Sequence, residues 1–411
     1  MDYFASFPDH NYLPFTASGD LPFDFASHVQ PLLDPVLPSP PAAQPALHAV
    51  SVVDVQLSHE DMVYYVQNED LVDDSISYLK LVITDDDQRA TNSNPPQLHL
   101  HTGQGQDSKG TIESIILRHV NLVWIPGTFH PLRVLELSNR NRDNAGLPSM
   151  YDLRQILAFS PNLEHLSLCN AGPMRNEDSP SAILPPGPCN FPASLRSIYL
   201  EREPIDIAYI LSNLILPETT NIICKTTFDT SFHDDEIREC LPDDLTGLGI
   251  VAHMKTVVFS WGPNVNGSLI EAFIHDDVSP LNISVARTHP HLSIRYEYED
   301  LEDMWDIVNS FAARTIDALP STFLREITNL HIRCDLLSVE ETHWISALED
   351  LHCITHLTFT NYKDTRRAIQ PDTGAFLMTL ALRAFDAKEP KVLCPQLQHF
   401  TLFGLVADTG I

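Results

Sequence analysis

The sequence predicts an α/β repeat array, with short parallel strands forming an inner sheet and helices forming an outer wall. Three observations predict it. From about residue 111 the pattern apolar-x-x-apolar-x-apolar recurs ten times between 112 and 397, at a mean step of about 32 residues. Segments of helical periodicity stand between several of these strands. Every strand-to-strand step is longer than a hairpin turn, which favours crossovers and parallel pairing. One strand-helix unit cannot bury both of its apolar surfaces, whereas stacked neighbours can. Steps range from 20 to 43 residues, so the array is expected to be irregular.

The elements follow in order. Residues 1–50 hold nine prolines, five aspartates and no Lys, Arg or Glu. Proline stiffens the chain and removes donors, so this stretch reads as a disordered Pro/Asp-rich tail; its aromatics, Tyr3 to Phe25, leave a docking peptide as the alternative. Residues 51–110 form an acidic, poorly defined segment with eleven acids and three bases. Within it Asp61 to Leu71 fits a short helix, and Ile76, Leu79, Leu81 and Ile83 fit a strand that makes one early repeat. Asn92 to Gly110 is polar and reads as a loop.

The repeat domain spans 111–405. Its clear strands are marked by Ile112/Ile115/Leu117, Leu132/Leu135/Leu137, Leu163/Leu166/Leu168 and Leu195/Ile198/Leu200. They continue at Met254/Val257/Phe259, Ile327/Leu330/Ile332, Ile354/Leu357/Phe359 and Leu397/Phe400/Leu402. Weaker strands lie near Ile222 and at Leu292/Ile294. Met150 to Phe159 predicts a helix with Ser149 as N-cap and Pro161 beyond its end. Ile205–Leu214, Leu301–Ile316, Val339–Leu348 and Thr373–Phe385 predict four more.

The strand pattern resembles a leucine-rich repeat. Leu132-Arg-Val-Leu-Glu-Leu-Ser-Asn139, Ser160-Pro-Asn-Leu-Glu-His-Leu-Ser-Leu168 and Leu393-Cys-Pro-Gln-Leu-Gln-His-Phe-Thr-Leu402 resemble the repeats of fungal, basidiomycete-type F-box/leucine-rich-repeat-like proteins. The resemblance covers about 70% of the chain. It implies an irregular leucine-rich-repeat-like solenoid with parallel inner strands and outer helices. It also implies substrate recognition for a cullin-type ubiquitin ligase, through a small adaptor. The sequence departs from the family in two respects. Asn139, Asn170, Cys334 and Asn361 fall two residues after the last strand leucine rather than three. No F-box segment is recognisable near the N-terminus, so no adaptor-binding residue is assigned.

Composition narrows the function. The 411 residues carry 55 acids and 25 Lys plus Arg, a net charge of −30. That balance repels phosphate backbones and anionic lipid, so neither nucleic acid nor a membrane is the expected partner. No apolar run reaches a membrane-spanning length, and the first residues lack a signal-peptide pattern. Seven cysteines at loose spacing read as reduced thiols of an intracellular protein, cytoplasmic or nuclear. Asn266-Gly267-Ser268 and Asn282-Ile283-Ser284 match the glycan acceptor pattern, which counts for little without an export signal.

Motifs for catalysis and metal binding are incomplete in this sequence. Gly103 to Thr111 is glycine-rich, but its lysine precedes the glycine, the wrong order for a phosphate loop. His99/His101 and His289/His291 alternate as metal ligands would, without a third ligand at a recognisable spacing. Tyr296 to Asp306 holds six acids but lacks the central glycine of a calcium loop. No nucleophile elbow is present, and Cys169, Cys189 and Cys334 carry no catalytic cysteine signature. The expectation is therefore no catalytic, cofactor or metal residue. The chain reads as a non-catalytic protein-protein interaction scaffold acting through the concave face of the solenoid. An enzyme with a composite site is the further alternative. Alternation names the outward-facing strand residues Glu136, Ser167, Tyr199, His331 and Thr358 as contact candidates. With Glu136 and net −30, a basic protein partner is favoured.

Overall fold

In the computed structural model the described residues form seventeen strands and three α-helices. It describes residues 51–68, 76–84, 95–100, 112–123, 130–139, 147–175, 189–228, 240–242, 244–262, 267–274, 290–298, 327–334, 348, 351–361 and 394–403. All of these belong to one unit, Ala49–Ile411. The strands are β1 (Ser51–Leu57), β2 (Ile76–Ile83), β3 (Gln97–His99), β4 (Ser114–Arg118), β5 (Asn121–Val123) and β6 (Val134–Ser138). They continue as β7 (His165–Cys169), β8 (Cys189–Asn190), β9 (Ser197–Glu201), β10 (Leu214–Ile215), β11 (Asn221–Phe228) and β12 (Thr256–Gly262). The last are β13 (Gly267–Phe273), β14 (Leu292–Tyr298), β15 (Asn329–Cys334), β16 (His356–Asn361) and β17 (His399–Phe403). The helices are α1 (His59–Asn68), α2 (Met150–Phe159) and α3 (Pro204–Ser212).

Thirteen strands make one sheet in the order β1-β2-β4-β6-β7-β9-β11-β14-β13-β12-β15-β16-β17. Every neighbouring pair is parallel except β12–β13 and β13–β14. Two small parallel pairs, β3–β5 and β8–β10, complete the strands. The architecture is thus mixed α/β, built on a large, mostly parallel sheet.

The apolar spacing builds this sheet directly. In β6 and β7 the leucines alternate with half-buried residues, so Leu135/Leu137 and Leu166/Leu168 enter the core. The same two core rows run through Leu79/Leu81, Ile115/Leu117, Ile198/Leu200, Ile222/Cys224, Leu292/Ile294, Leu330/Ile332 and Leu357/Phe359. Helix residues Met62, Leu153, Ile156, Leu157, Ile207, Ile210 and Leu211 join the same cluster, so the helices cover this face.

Local chemistry ends and fixes the helices. Ser149 caps α2 as its sequence predicts: its hydroxyl accepts the Asp152 N–H (3.2 Å), and the Asp152 carboxylate accepts the Ser149 N–H (2.9 Å). α3 opens on Pro204 without a side-chain cap. Its first turn is held instead by a buried ion pair, Arg202 Nε to Asp206 Oδ2 at 2.6 Å. Arg202 Nη1 also donates to Gly172 O, and the Arg175 N–H donates to Asp206 Oδ1. These bonds pin the 172–175 segment against α3. The predicted helix at Ile205–Leu214 ends early, because Leu214 leaves it for β10.

β1 and β2 continue the sheet through β4, so the early strand expected at Ile76 to Ile83 joins it. Two expectations need correction. Asn92 to Gly110 is not all loop: Gln97–His99 pairs with β5. Nor do all strands pair parallel at long steps. β12 and β13 form a hairpin pair, and the run β12-β13-β14 lies reversed in the sheet. β14 therefore docks on β11, while β12 passes on to pair with β15. β13 alone joins the block ending at β14 to the block starting at β12.

The tail at 1–50, the glycine-rich 103–111 stretch and most of the 296–306 acidic run lie outside the described residues. So do the predicted helices at 301–316 and 373–385, and all but Leu348 of the one at 339–348.

Candidate functional site

The face opposite the helices carries the contact candidates. Register places Asp54, Lys80, Ile116, Glu136, Ser167, Tyr199 and Ile223 side by side. The row then passes through Ser293, Glu271, Val258, His331, Thr358 and Thr401. All five residues named by alternation thus fall in one row, which crosses all thirteen strands without a slip.

Two of the five are closed off. His331 is 4% exposed and Thr358 5%. As contact residues they are corrected here, and the reason lies in their surroundings. Val258 is fully buried on this face and forms a small apolar cluster with Phe273, apart from the main core. Thr256, Ser260 and Asn329 beside them are buried too. On this second face Thr256, Val258 and Ser260 of β12, Phe273 of β13, Asn329 and His331 of β15 and Thr358 of β16 are therefore buried, as in parallel sheets covered on both sides, while Leu269, Glu271 and His356 on the same face still reach solvent. Glu136, Ser167 and Tyr199 are half-buried and belong to the more open part.

Around them the outward charges are paired between strands. Lys80 meets Asp54 at 3.2 Å, and Arg118 meets Glu136 at 3.1 Å. Lys225 bridges Glu201 (3.3 Å) and Glu297 (3.1 Å), and Arg295 lies 3.6 Å from Glu297. Glu201 also accepts the Tyr199 hydroxyl at 2.6 Å and the Cys169 thiol at 3.3 Å, so one carboxylate gathers groups from three strands. Alternation also marks these residues. Arg118, Glu201, Lys225, Arg295 and Arg333 each stand two positions after a member of the row, on the same face. Extending the outward pattern by one more step along each strand would have found them.

Burial dominates the electrostatics of this face. Burial, then the charge of Glu201, pushes the Cys169 thiol up to about 12, and the same two causes raise the Tyr199 phenol. Burial works against the Lys225 ammonium, but Glu201 and Glu297 outweigh it and raise its pKa. Burial raises the Glu271 carboxyl even though Arg333 and Arg295 oppose it. His331 is lowered to about 4, by burial and then by Arg333 and His356, and its Nδ1 is buried without a hydrogen-bond partner.

The turn asparagines also take shape. Asn170 adopts φ 49°, a left-handed conformation that asparagine tolerates better than most residues. Asn139 Nδ2 donates to Asn121 Oδ1 at 3.2 Å. Cys169, Cys224, Cys240, Cys334, Cys353 and Cys394 are free thiols. Among the described residues no group of three or more His, Cys, Asp or Glu is placed to hold a metal ion, and no helix is long and apolar enough to cross a membrane. Of the predicted histidine pairs, His99 is exposed in β3 and His291 precedes β14, while His101 and His289 lie outside the described residues.

Comparison with protein-family models, curated proteins and solved structures finds no match to this chain.

Proposed function

We propose that the chain is a non-catalytic protein-protein interaction scaffold. In this reading the strands and helices form an irregular leucine-rich-repeat-like solenoid, and a partner binds the outward row between β4 and β14. The in-register row carries the proposal, because it presents side chains at fixed spacing on a rigid sheet. Inter-strand ion pairs hold those side chains in place before a partner arrives. The raised Cys169 and Tyr199 keep both groups protonated, which suits recognition better than nucleophilic chemistry.

Charge then describes the partner. Among the described residues the outward face of the strands holds five acids (Asp54, Glu136, Glu201, Glu271, Glu297) and five bases (Lys80, Arg118, Lys225, Arg295, Arg333). Those ten residues balance, so the −30 is carried elsewhere in the chain. The net charge would draw in a basic protein at long range. At contact, this face calls for a partner patch of both signs. Free thiols at six positions fit an intracellular setting, cytoplasmic or nuclear.

Quantitative co-purification tests the reading. Proteins recovered on the wild-type chain are compared with those on Ser167→Arg, which crowds the row, and on Tyr151→Ala, an exposed change on α2. The expected result is loss of about 30-fold or more for Ser167→Arg, as for a hot-spot change of about 2 kcal/mol, and no loss for Tyr151→Ala. Equal recovery by all three, with circular dichroism unchanged, overturns it. The repeat cadence at 132–139, 160–168 and 393–402 favours a second reading, substrate recognition for a cullin-type ubiquitin ligase. Stoichiometric co-purification of that ligase's small adaptor would select it.

A further inference from the structure

The last two strands of the sheet bring together two imidazoles that the scaffold reading does not use. His356 and His399 are register partners on β16 and β17. Both are exposed, and their rings stack with centroids 4.5 Å apart and planes 19° from parallel. They come from segments that the metal-motif reading of the sequence did not pair.

The hydrogen bonding around His356 fixes its tautomer. The Thr355 hydroxyl donates its single proton to Thr328 O at 3.1 Å. Thr355 Oγ1 also lies 2.9 Å from His356 Nδ1. With its proton committed, that oxygen acts as acceptor, so Nδ1 of the neutral ring carries the hydrogen. The lone pair then sits on Nε2. A ring oriented by a hydrogen bond at one nitrogen, with the other nitrogen free to bind, is the usual arrangement of a metal-ligating histidine.

We propose that His356 and His399 form a two-histidine site for a divalent first-row transition metal such as zinc or nickel, with solvent completing the coordination. Imidazole nitrogen suits these ions, at bond lengths of about 2.0–2.1 Å for zinc. Stacked rings hold their in-plane lone pairs side by side, so with His356 kept in place by Thr355 it is the exposed His399 ring that turns out of the stack to bring a nitrogen to the same ion. The protein's net charge of −30 raises the local concentration of cations. Bound there, the ion ties β17 to β16. Among the described residues β17 is an end strand that pairs with β16 alone, and its Phe400 is 48% exposed, so this strand stands to gain from a tie.

The test is hydrogen exchange of the β17 amides that pair with β16, in the full chain at pH 7.5, with and without zinc sulfate or nickel sulfate. At a metal concentration ten times Kd, exchange in the wild type is expected to slow about tenfold. His356→Gln and His399→Gln should each abolish the effect, and His99→Gln, an exposed histidine on another sheet, should leave it intact. Thr355→Val should weaken the metal affinity by about tenfold through loss of ring orientation. The proposal falls if metal leaves β17 exchange unchanged in the wild type, or if slowing persists in either His356→Gln or His399→Gln.

Discussion

In β6 and β7 the outward side chains are half-buried and mostly polar; in β12 and β15 the side chains of the same row are buried. Their composition shows why. Val-Leu-Glu-Leu-Ser and His-Leu-Ser-Leu-Cys alternate cleanly, and each polar residue faces away from the core. Thr-Val-Val-Phe-Ser-Trp-Gly does not alternate, because Val258 supplies apolar surface on the second face as well. One register therefore serves two purposes. β6 and β7 present a surface, whereas β12, apolar on both sides, becomes an interior layer that also takes in the polar outward residues Asn329 and His331 of β15 beside it.

The largest test of this contrast compares one deletion in each part. Phe273→Ala removes a ring that is 1% exposed on the second face of β13 and should cost about 3–5 kcal/mol, read as a lower urea midpoint. Val134→Ala on half-buried β6 should cost about 1 kcal/mol or less. Equal losses would erase the distinction between the two parts.

A second test uses acid. The folded pKa of His331 is lowered to about 4, below the ordinary 6.5. Its contribution is present above pH 6.5 and is lost as pH falls toward 4, because the unfolded chain takes up a proton that the folded chain does not. That loss should reach about 3 kcal/mol. His331→Leu should flatten the corresponding part of the stability-versus-pH curve. An unchanged slope would show that the ring is solvated and that the second face is open there.

The smallest expected effect is at Glu136. Its ion pair with Arg118 is partly exposed, so Glu136→Gln should alter stability by about 0.5 kcal/mol or less. Any larger effect on partner recovery than on stability would then belong to recognition.

Much of the sheet is legible from leucine spacing, since core positions such as Leu166 and Leu168 repeat with a fixed period and lie opposite their neighbours. α2 is legible because Ser149 and Asp152 announce its start. β13 is not, because its neighbours in the sheet run the other way and its Gly-Ser-Leu-Ile-Glu-Ala-Phe breaks the leucine cadence. A signal was present in the sequence: Asn266-Gly267, a pair favoured in hairpin turns, with Gly267 opening β13. The outward row was legible as a direction but not as an exposure. Alternation says which way His331 and Thr358 point, whereas a long-range apolar cluster decides whether water reaches them. The His356–His399 pair follows from the same cadence, since each histidine directly precedes the middle apolar mark of its strand, Leu357 or Phe400; what the spacing leaves open is that β16 and β17 are neighbours.

The reversed placement of β12-β13-β14 also bears on synthesis. β11 ends at Phe228, but the strand that covers its far edge does not begin until Leu292. At roughly 5–20 residues per second, a ribosome leaves that edge bare for about 3–13 s. An unsatisfied strand edge invites foreign strands. The nascent chain is thus expected to be most prone to coaggregation, and most dependent on chaperones, while this interval is being translated.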